Sequence, residues 1–459
     1  MGQAETVFIH LSDIHFKKMI EGRITDVDDD VRNELVRDAK QESRAFGEIT
    51  GVLVTGDIAF SGSAEEYEIA ENWLAQLCVA VECNPAQIWV VPGNHDIDRQ
   101  AINSSASIQD CHDRLRKAPL NRLEAELERY LQDNAARDAF LMPLKNYNDF
   151  AKRFECQLAP GDLYWEDNLP LNDGWTLRLR GLNSVLVSDW LDNDESNATK
   201  LILTKKQIIC RTEDGVVYLT LCHHPPDWCR DQDGINDALD NRVHIQLFGH
   251  KHRQRVELAE RRVRITAGAA NPDTRESDWK PCYNFIAISV VHDGGVPRLV
   301  VRIQPRIWSE QHWKFVGEDQ NNGGYVKECI FELYSLSLPH GKTMEGFEMK
   351  SELSAGVRRA GDPNQSVEPP LTLSRKEEPT MNPRRRLAYR FYTLPYNVRL
   401  RVAQDLELVR DEDQDVPDAQ LFERYFKRAQ ERKTLAQFWE SVENEHPTRP
   451  IAENPFSGE

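Results

Sequence analysis

Five short apolar segments, each followed by residues of the kind that bind metal ions, constrain this 459-residue chain more than any other feature. The segments cover 6–11, 51–55, 87–91, 216–221 and 244–248 and have the composition of buried β-strands. The residues that come after them read SDIH, GD, PGNHD, CHHPP and GHKH. Because ligands of α/β sheets bind beyond the carboxyl ends of the strands, we expect these five ends to converge on one site.

The side chains at these strand ends are carboxylates, imidazoles and one amide, which suit divalent transition ions, and a carboxylate has two oxygens with which to bridge a pair of ions. Each motif alone also fits an ordinary turn, but their order and their places at strand ends favour a metal site. Two ions stabilise both the attacking and the leaving oxygen of a displacement at phosphorus, and they make a metal-bound hydroxide available as nucleophile at physiological pH. The candidate ligands are Asp13, His15, Asp57, Asn94, His223, His250 and His252.

In this order, the motifs SDIH, TGD, PGNHD, CHHPP and FGHKH resemble those of the calcineurin-like metallophosphoesterase superfamily over about residues 5–305. The resemblance implies a sandwich of two β-sheets flanked by helices, with a two-metal centre at the strand ends. It implies one ion held by Asp13, His15 and His252, a second held by Asn94, His223 and His250, and Asp57 as the bridge between them. In an H-x-P unit the family uses the first histidine, which implies that His224 packs or lines the pocket.

The same resemblance implies a catalytic histidine that is not a metal ligand. His95 matches it and would donate a proton to the leaving oxygen or steady the transition-state charge. Asp96 would orient His95 or, alternatively, stabilise the turn. The protein serine/threonine phosphatases of the superfamily carry GDxVDRG, whereas this chain has GDIAFSG, with Phe60 and Ser61 in place of an aspartate and an arginine. This departure disfavours a phosphoprotein substrate and favours the phosphodiesterase branch.

The alternation of apolar runs with amphipathic helical patterns predicts an α/β fold, and the resemblance specifies a four-layer α/β/β/α sandwich. We expect this domain over 1–335, with a helical insertion at about 100–160. A linker rich in Pro, Ser and charge is expected over 336–383. Helical periodicity over 384–447 predicts a small all-α domain similar to the effector-associated adaptor domains of bacterial conflict and antiviral systems. The alternative is an ordinary bundle that packs on the enzyme or mediates oligomers.

Charge and cysteine content limit the partners and the compartment. With 57 basic and 75 acidic residues the net charge is −18, so the chain gains nothing from bulk attraction to nucleic acid or anionic membranes. The nine cysteines are scattered and form no CxxC pairs, which fits a reducing compartment. The first residues show no basic region followed by an apolar core, and no apolar stretch is as long as a membrane span, so we expect neither a signal sequence nor a span. We therefore expect a cytoplasmic protein with no membrane partner.

These observations predict a metal-dependent phosphoric ester hydrolase that cleaves a phosphodiester in a nucleotide or nucleic acid. The cofactors expected are two divalent ions among Mn, Fe, Zn and Ni, with Mn favoured, and the C-terminal domain is expected to bind a protein partner. Two alternatives remain open: a nuclease effector of an antiviral system, and a non-catalytic scaffold that senses a nucleotide. The arginines of 253–264 would be either a basic approach for nucleic acid or a solvated strand face.

Overall fold

The protein is described here from a computed structural model of the chain. The residues that the structure describes are 5–18, 27–159, 161–189, 192, 201–271, 280–317, 327–333, 387, 391, 394, 396–410, 413, 418–445, 454 and 456. The predicted linker over 336–383 lies outside the described residues. The domain boundaries given above stay predictions.

Thirteen strands and twelve helices are assigned within the described residues. The strands are β1 (Thr6–Leu11), β2 (Ile49–Val54), β3 (Ile88–Val90), β4 (Tyr164–Pro170), β5 (Thr176–Leu182), β6 (Val216–Cys222), β7 (Ile245–Phe248), β8 (Arg255–Leu258), β9 (Val263–Thr266), β10 (Cys282–Asp293), β11 (Val296–Ser309), β12 (Lys314–Gly317) and β13 (Lys327–Glu332). The helices are α1 (Val27–Phe46), α2 (Ala64–Val81), α3 (Arg99–Asn103), α4 (Ala106–Lys117), α5 (Leu120–Gln132), α6 (Asn134–Leu141), α7 (Lys145–Ala151), α8 (Lys205–Ile208), α9 (Gln232–Asp240), α10 (Tyr396–Asp405), α11 (Asp418–Glu431) and α12 (Leu435–Asn444).

The strands form two mixed sheets. The first has the order β12-β11-β10-β1-β2-β3, with β13 also paired to β11, and the second has the order β4-β5-β6-β7-β9-β8. In the first sheet β1, β2 and β3 are parallel, and in the second β5, β6, β7 and β9 are parallel. The carboxyl ends of these parallel strands are the ends that carry the predicted ligands.

Helices cover the outer faces of the two sheets. One core cluster contains residues of both sheets, such as Ile9 and Leu219, together with Leu35 of α1 and Leu74 of α2. A second cluster joins α9 to the other sheet, for example through Leu239. Strands covered on both faces become continuous apolar runs, and all six residues of β1 are buried. The predicted four-layer α/β/β/α fold is confirmed.

The long insertion between β3 and β4 is helical, as predicted, and it starts at Arg99. Its helices α4, α5 and α6 share a core with Val187, which belongs to the segment after β5. The side chain of Arg116 at the end of α4 also pairs with Asp189 of that segment. The insertion therefore packs against a loop that leads away from the strand ends of the second sheet.

The structure also contains strands that the apolar pattern did not indicate, namely β4, β8, β12 and β13. These strands have many exposed residues, and β4 includes a charged stretch and Pro170, so their pairing depends on tertiary contacts and leaves little periodic signal. The strands β10 and β11 are longer than expected. They form a hairpin through Gly294 and Gly295, whose positive φ values of 59° and 85° fit a two-residue turn.

The C-terminal helices α10, α11 and α12 form a small all-α domain with its own core. Phe438 and Trp439 are completely buried there, and Tyr425 and Phe426 are also buried in this core. Among the described helices, none is both long enough and apolar enough to cross a membrane.

Candidate metal centre

The structure brings all seven predicted ligands together at the carboxyl ends of five strands. The loops after β1, β2 and β3 approach from the first sheet, and the loops after β6 and β7 approach from the second. Backbone hydrogen bonds fix the contact between loops, since Gly249 N–H donates to the His223 carbonyl and Asp13 N–H donates to the Gly56 carbonyl. The site therefore lies where the two sheets meet.

Asp13, His15 and His252 form one cluster. Their ligating atoms lie within 4.8 Å of one another, and His252 Nε2 is 3.2 Å from Asp13 Oδ1. Burial raises the pKa of the Asp13 carboxyl, but the charge and hydrogen bond of His252 outweigh it and hold the pKa below its usual range. A buried carboxylate costs free energy unless cations or hydrogen-bond donors satisfy it. One ionised carboxylate and two imidazoles in this arrangement fit a divalent metal ion.

Asn94, His223 and His250 form a second cluster around the amide oxygen of Asn94. His223 Nε2 and His250 Nδ1 each lie 3.1 Å from Asn94 Oδ1. His223 Nδ1 lies 2.7 Å from the carbonyl of Thr55 and donates its proton to it, because a carbonyl can only accept. The Nε2 atom of His223 faces Asn94 and Asp57. Thr55 has no place among the predicted residues, because a backbone carbonyl leaves no signal in the sequence.

Asp57 lies between the two clusters. Its Oδ2 atom is 3.2 Å from His15 Nε2 and 3.3 Å from His223 Nε2, so one oxygen is within reach of both groups. Its other oxygen accepts a hydrogen bond of 2.8 Å from the backbone N–H of His95. A Cβ atom at Gly93 would lie 2.2 Å from Asp57 Oδ1, so a glycine is required beside this carboxylate. This placement suits the bridging position that the resemblance implies.

The backbone at the site is unusual. Five of the seven predicted ligands adopt left-handed φ values, which non-glycine residues visit only a few per cent of the time. Each such residue costs on the order of 1–3 kcal/mol and persists only where the surrounding structure enforces it. The five residues are Asp13 (53°), His15 (52°), Asp57 (51°), His250 (69°) and His252 (51°).

The charges of the cluster hold Asp57 in its ionised form. Burial by itself raises the pKa of this carboxyl, but the charges of His223 and His95 outweigh it and lower the pKa well below the usual range. Reciprocally, burial disfavours the His223 cation, yet Asp57 raises the pKa of His223 to about 9. Burial lowers the pKa of His250 to about 3, so that imidazole is neutral and can bind a cation.

His95 stands beside the bridging position without joining the ligand set. Its ring is half-buried and centred 4.7 Å from the ring of His15, and its Nδ1 atom lies 2.8 Å from the carbonyl of Phe60. Since that carbonyl accepts, Nδ1 carries a proton, and Nε2 is the atom left for exchange with a substrate. Burial is the main cause that lowers the pKa of His95 to about 4.

Asp96 is fully buried, and its carboxylate is held by the backbone of two loops and by the Tyr67 hydroxyl. It accepts hydrogen bonds from the backbone N–H groups of Gly93, Ile58 and Ala59 at 2.8–3.1 Å, and from the Tyr67 hydroxyl at 3.0 Å. Burial, followed by the charge of Asp57, raises the pKa of Asp96 to about 6. These contacts fit the turn-stabilising alternative, and a catalytic role for Asp96 stays a prediction.

His224, which the resemblance implies to be a packing residue, points its Nε2 atom to within 3.1 Å of Asn94 Oδ1. Its other ring nitrogen lies 2.8 Å from the Ser184 hydroxyl. Trp228 packs its ring 4.1 Å from the ring of His250. Ser184 and Trp228 were not among the predicted site residues, although Trp228 lies two residues after the CHHPP motif and could have been suspected from that position.

Two mixed sheets with a cluster of buried Asp, Asn and His side chains at their strand ends define a phosphoesterase of the metal-binding class. The chain belongs to the calcineurin-like phosphoesterase family, whose model matches residues 6–254. A second model, for a GTPase-associated adaptor domain, matches residues 383–444. Both resemblances drawn from the sequence are confirmed. The protein is a metal-dependent phosphoric ester hydrolase, and its Asp and His clusters could bind the divalent ions that this family uses.

Solved structures with a similar fold share little sequence with this chain. A protein assigned as a 5′-nucleotidase from Staphylococcus aureus is 13% identical, with 74% of this chain and 56% of that one covered and a TM-score of 0.33. Vps29 from Entamoeba histolytica in complex with zinc is 10% identical (71% and 99% covered, TM-score 0.26), and a purple acid phosphatase from yellow lupin is 10% identical (72% and 54% covered, TM-score 0.34). The match thus spans only about half of the Staphylococcus and lupin chains. No curated protein matches the chain significantly.

Proposed function

We propose that the protein is a two-metal phosphodiesterase that hydrolyses a nucleotide or nucleic-acid phosphate ester. The observation that carries this proposal is the position of Asp57 Oδ2, within 3.2 and 3.3 Å of imidazole nitrogens from both clusters. Asp13, His15 and His252 would hold one ion, Asn94, His223 and His250 the other, and Asp57 would bridge them. Mn is favoured, because oxygen and imidazole donors without thiolate suit it.

When bound, the two ions supply Lewis-acid activation of a water and neutralise charge that develops at the phosphorus centre. His95 contributes a proton at Nε2. A bound phosphate anion favours the imidazolium form, which counteracts the burial that lowers the pKa of this ring. The protonated ring then donates to the leaving oxygen, an effect worth about 10²–10⁴-fold in rate. Asp96 supports this step by holding the loops that carry His95 and Asp57.

An exposed aromatic ring supports a nucleotide substrate. Phe60 has 42% of its surface exposed, unusual for this residue type, and its ring centroid lies 5.4 Å from that of His95. Lys17 Nζ lies 5.3 Å from the same centroid. A base that stacks on such a face gains about 1–3 kcal/mol. Phe60→Ala should weaken binding of a nucleotide diester by that amount and leave an alkyl diester such as glycerophosphoethanolamine unaffected.

The surface beside the site does not favour a long nucleic acid. Among the arginines considered as a basic approach, Arg262 and Arg264 pair with Asp240 at 2.5 and 3.2 Å. Both side chains are largely buried and paired with a carboxylate, so they offer little positive charge to a polyanion. A short or cyclic nucleotide therefore remains the leading substrate class. The alternative, a nuclease effector that cleaves nucleic acid, is tested by comparing the hydrolysis of both kinds of substrate.

The adaptor domain supports a role in recruitment. We propose that it binds a protein partner, and that the enzyme acts in the cytoplasm as part of a bacterial defence system. The test is co-purification of the full chain with a partner from its host, compared with a variant that stops before residue 383. Loss of the partner together with the domain, at unchanged hydrolysis, is the expected result.

The enzymatic proposal is tested with metal-stripped full-length protein and added Mn²⁺. Bis(p-nitrophenyl) phosphate should be cleaved faster than p-nitrophenyl phosphate, and cyclic nucleotides, single-stranded DNA and RNA are compared in the same preparation. Asp57→Asn should abolish turnover, and His95→Ala should lower kcat by about 10²–10⁴-fold. If no divalent ion supports turnover and both variants behave like the parent, the non-catalytic scaffold replaces the enzyme.

A further inference from the structure

His224 is placed and oriented like a ligand and not like a packing residue. Its side chain is completely buried, and its Nε2 atom lies 3.1 Å from Asn94 Oδ1, the same distance as the ligating nitrogens of His223 and His250. The ligating atoms of the three histidines lie within 4.8 Å of one another. The side chain therefore ends inside the second cluster.

Contacts with Ser184 fix the orientation of the His224 ring. The Ser184 hydroxyl oxygen accepts from the backbone N–H of His224 at 3.3 Å and lies 2.8 Å from His224 Nδ1. With Nδ1 held by Ser184, the Nε2 atom on the other side of the ring faces Asn94. The atom that points into the second cluster is therefore one that can bind a cation.

The surroundings of Asn94 point in the same direction. Its amide oxygen has two lone pairs, yet three imidazole nitrogens lie 3.1 Å from it. Two lone pairs accept at most two hydrogen bonds, so at least one of the three nitrogens has no lone pair of Asn94 to itself. An amide oxygen surrounded by three imidazole nitrogens is a donor set that suits a divalent transition ion.

We propose that His224 Nε2 is an additional ligand of the ion beside Asn94. The inference rests on the two-metal centre of the proposed function. A further imidazole makes the two sites chemically unequal. The site beside Asn94 then has one amide oxygen, three imidazoles and a share of Asp57. The site beside Asp13 has two imidazoles, the Asp13 carboxylate and a share of Asp57. The nitrogen-rich site should prefer Zn, Ni or Co, which imidazole suits, over Mn.

The experiment measures metal binding and not turnover. Metal-stripped full-length protein is titrated with Co²⁺ by calorimetry and visible absorption, and the parent should bind two equivalents. His224→Ala should retain the first equivalent and weaken the second by about 10–100-fold, on the scale known for residues that hold a metal site. Ser184→Ala, which frees the ring but keeps it, should weaken the second equivalent by a smaller factor. His112→Ala removes a buried histidine of α4, away from the site, and should bind like the parent.

Comparison with Asn94→Ala separates a ligand from a residue that only orients Asn94. If His224 is a ligand, its loss weakens the second equivalent by a similar factor in the parent and in the Asn94→Ala background. If the effect of His224→Ala disappears in that background, or is absent in the parent, the inference is overturned. His224→Gln repeats the measurement with little change in volume should the alanine variant lose the first equivalent as well. A parent that binds fewer than two equivalents contradicts the two-metal proposal itself, which is a different result.

Discussion

The metal centre and the C-terminal helical domain use the same backbone conformation for different purposes. In the helical domain, left-handed residues such as Glu407 and Lys433 lie just after helices, where this conformation commonly ends a helix. At the metal centre, left-handed residues carry predicted ligands, for example Asp57 and His252. The bundle is arranged for packing, whereas the site holds strain and buried charge that bound cations would offset.

Metal removal should separate the two regions most clearly. A chelator should abolish phosphodiester hydrolysis, and it should lower the stability of the sandwich by about 4 kcal/mol for each ion that was present at 1,000 times its Kd. The helical domain should not respond, because the described residues show no metal cluster in it. Thermal unfolding with and without chelator, followed by circular dichroism, checks this. A shift of both transitions would contradict the separation.

Removal of one buried phenylalanine from each region should have effects confined to that region. Phe438 of α12 is fully buried and packs edge-on to Phe391 at 5.4 Å, so Phe438→Ala should cost about 3–5 kcal/mol. A domain of about sixty residues is marginal in stability, and this loss should unfold it while hydrolysis continues. The matched variant, Phe285→Ala in β10, should destabilise the sandwich. Limited proteolysis together with an activity assay distinguishes the two outcomes.

Backbone strain at the site predicts that a glycine variant is more stable than an alanine variant there, which is the opposite of the order in a helix. With the metal absent, His252→Gly should be more stable than His252→Ala by about 1–2 kcal/mol, because only glycine tolerates the φ of 51° without cost. The same pair at His112, within helix α4, should show the opposite order by about 1 kcal/mol. Urea unfolding of the four metal-stripped variants provides the measurement. If the alanine variant is the more stable one at both positions, the loop at His252 relaxes and holds no strain.

The helical domain should show a small dependence on acid that is independent of the site. Hydrogen bonds from Arg428 are the main cause that lowers the pKa of Asp413 from 3.8 to about 2. Because the folded-state pKa is depressed, the contribution to stability is present above about pH 4 and is lost as the pH falls through about 2. Asp413→Asn should remove this dependence. Urea unfolding of the helical domain at pH values between 5 and 2 provides the measurement. If its free energy of unfolding falls equally with pH in the parent and in the variant, the prediction is wrong.

Much of the site was predictable because its ligands lie in short motifs directly after strands. The bounds of β1, Thr6–Leu11, were predicted to the residue. The edge strands β4 and β8 were not, because a half-exposed strand takes its partner from the rest of the sheet. The buried contacts of Asp96 were left open between two roles, and its hydrogen bonds to the backbone of residues 58 and 59 come from a loop almost 40 residues away.

The sequence by itself determined where five of the strands lie along the chain and which kind of donor follows each of them. It also determined the family to which the chain belongs. These properties are local, since each motif follows its own strand. Only the tertiary structure decided which side chains meet: Asn94 and His224 are 130 residues apart, yet their polar atoms lie 3.1 Å from each other. Adjacent histidines look equivalent in a motif, and the hydrogen bonds of Thr55 and Ser184 from distant loops decide how each ring is oriented.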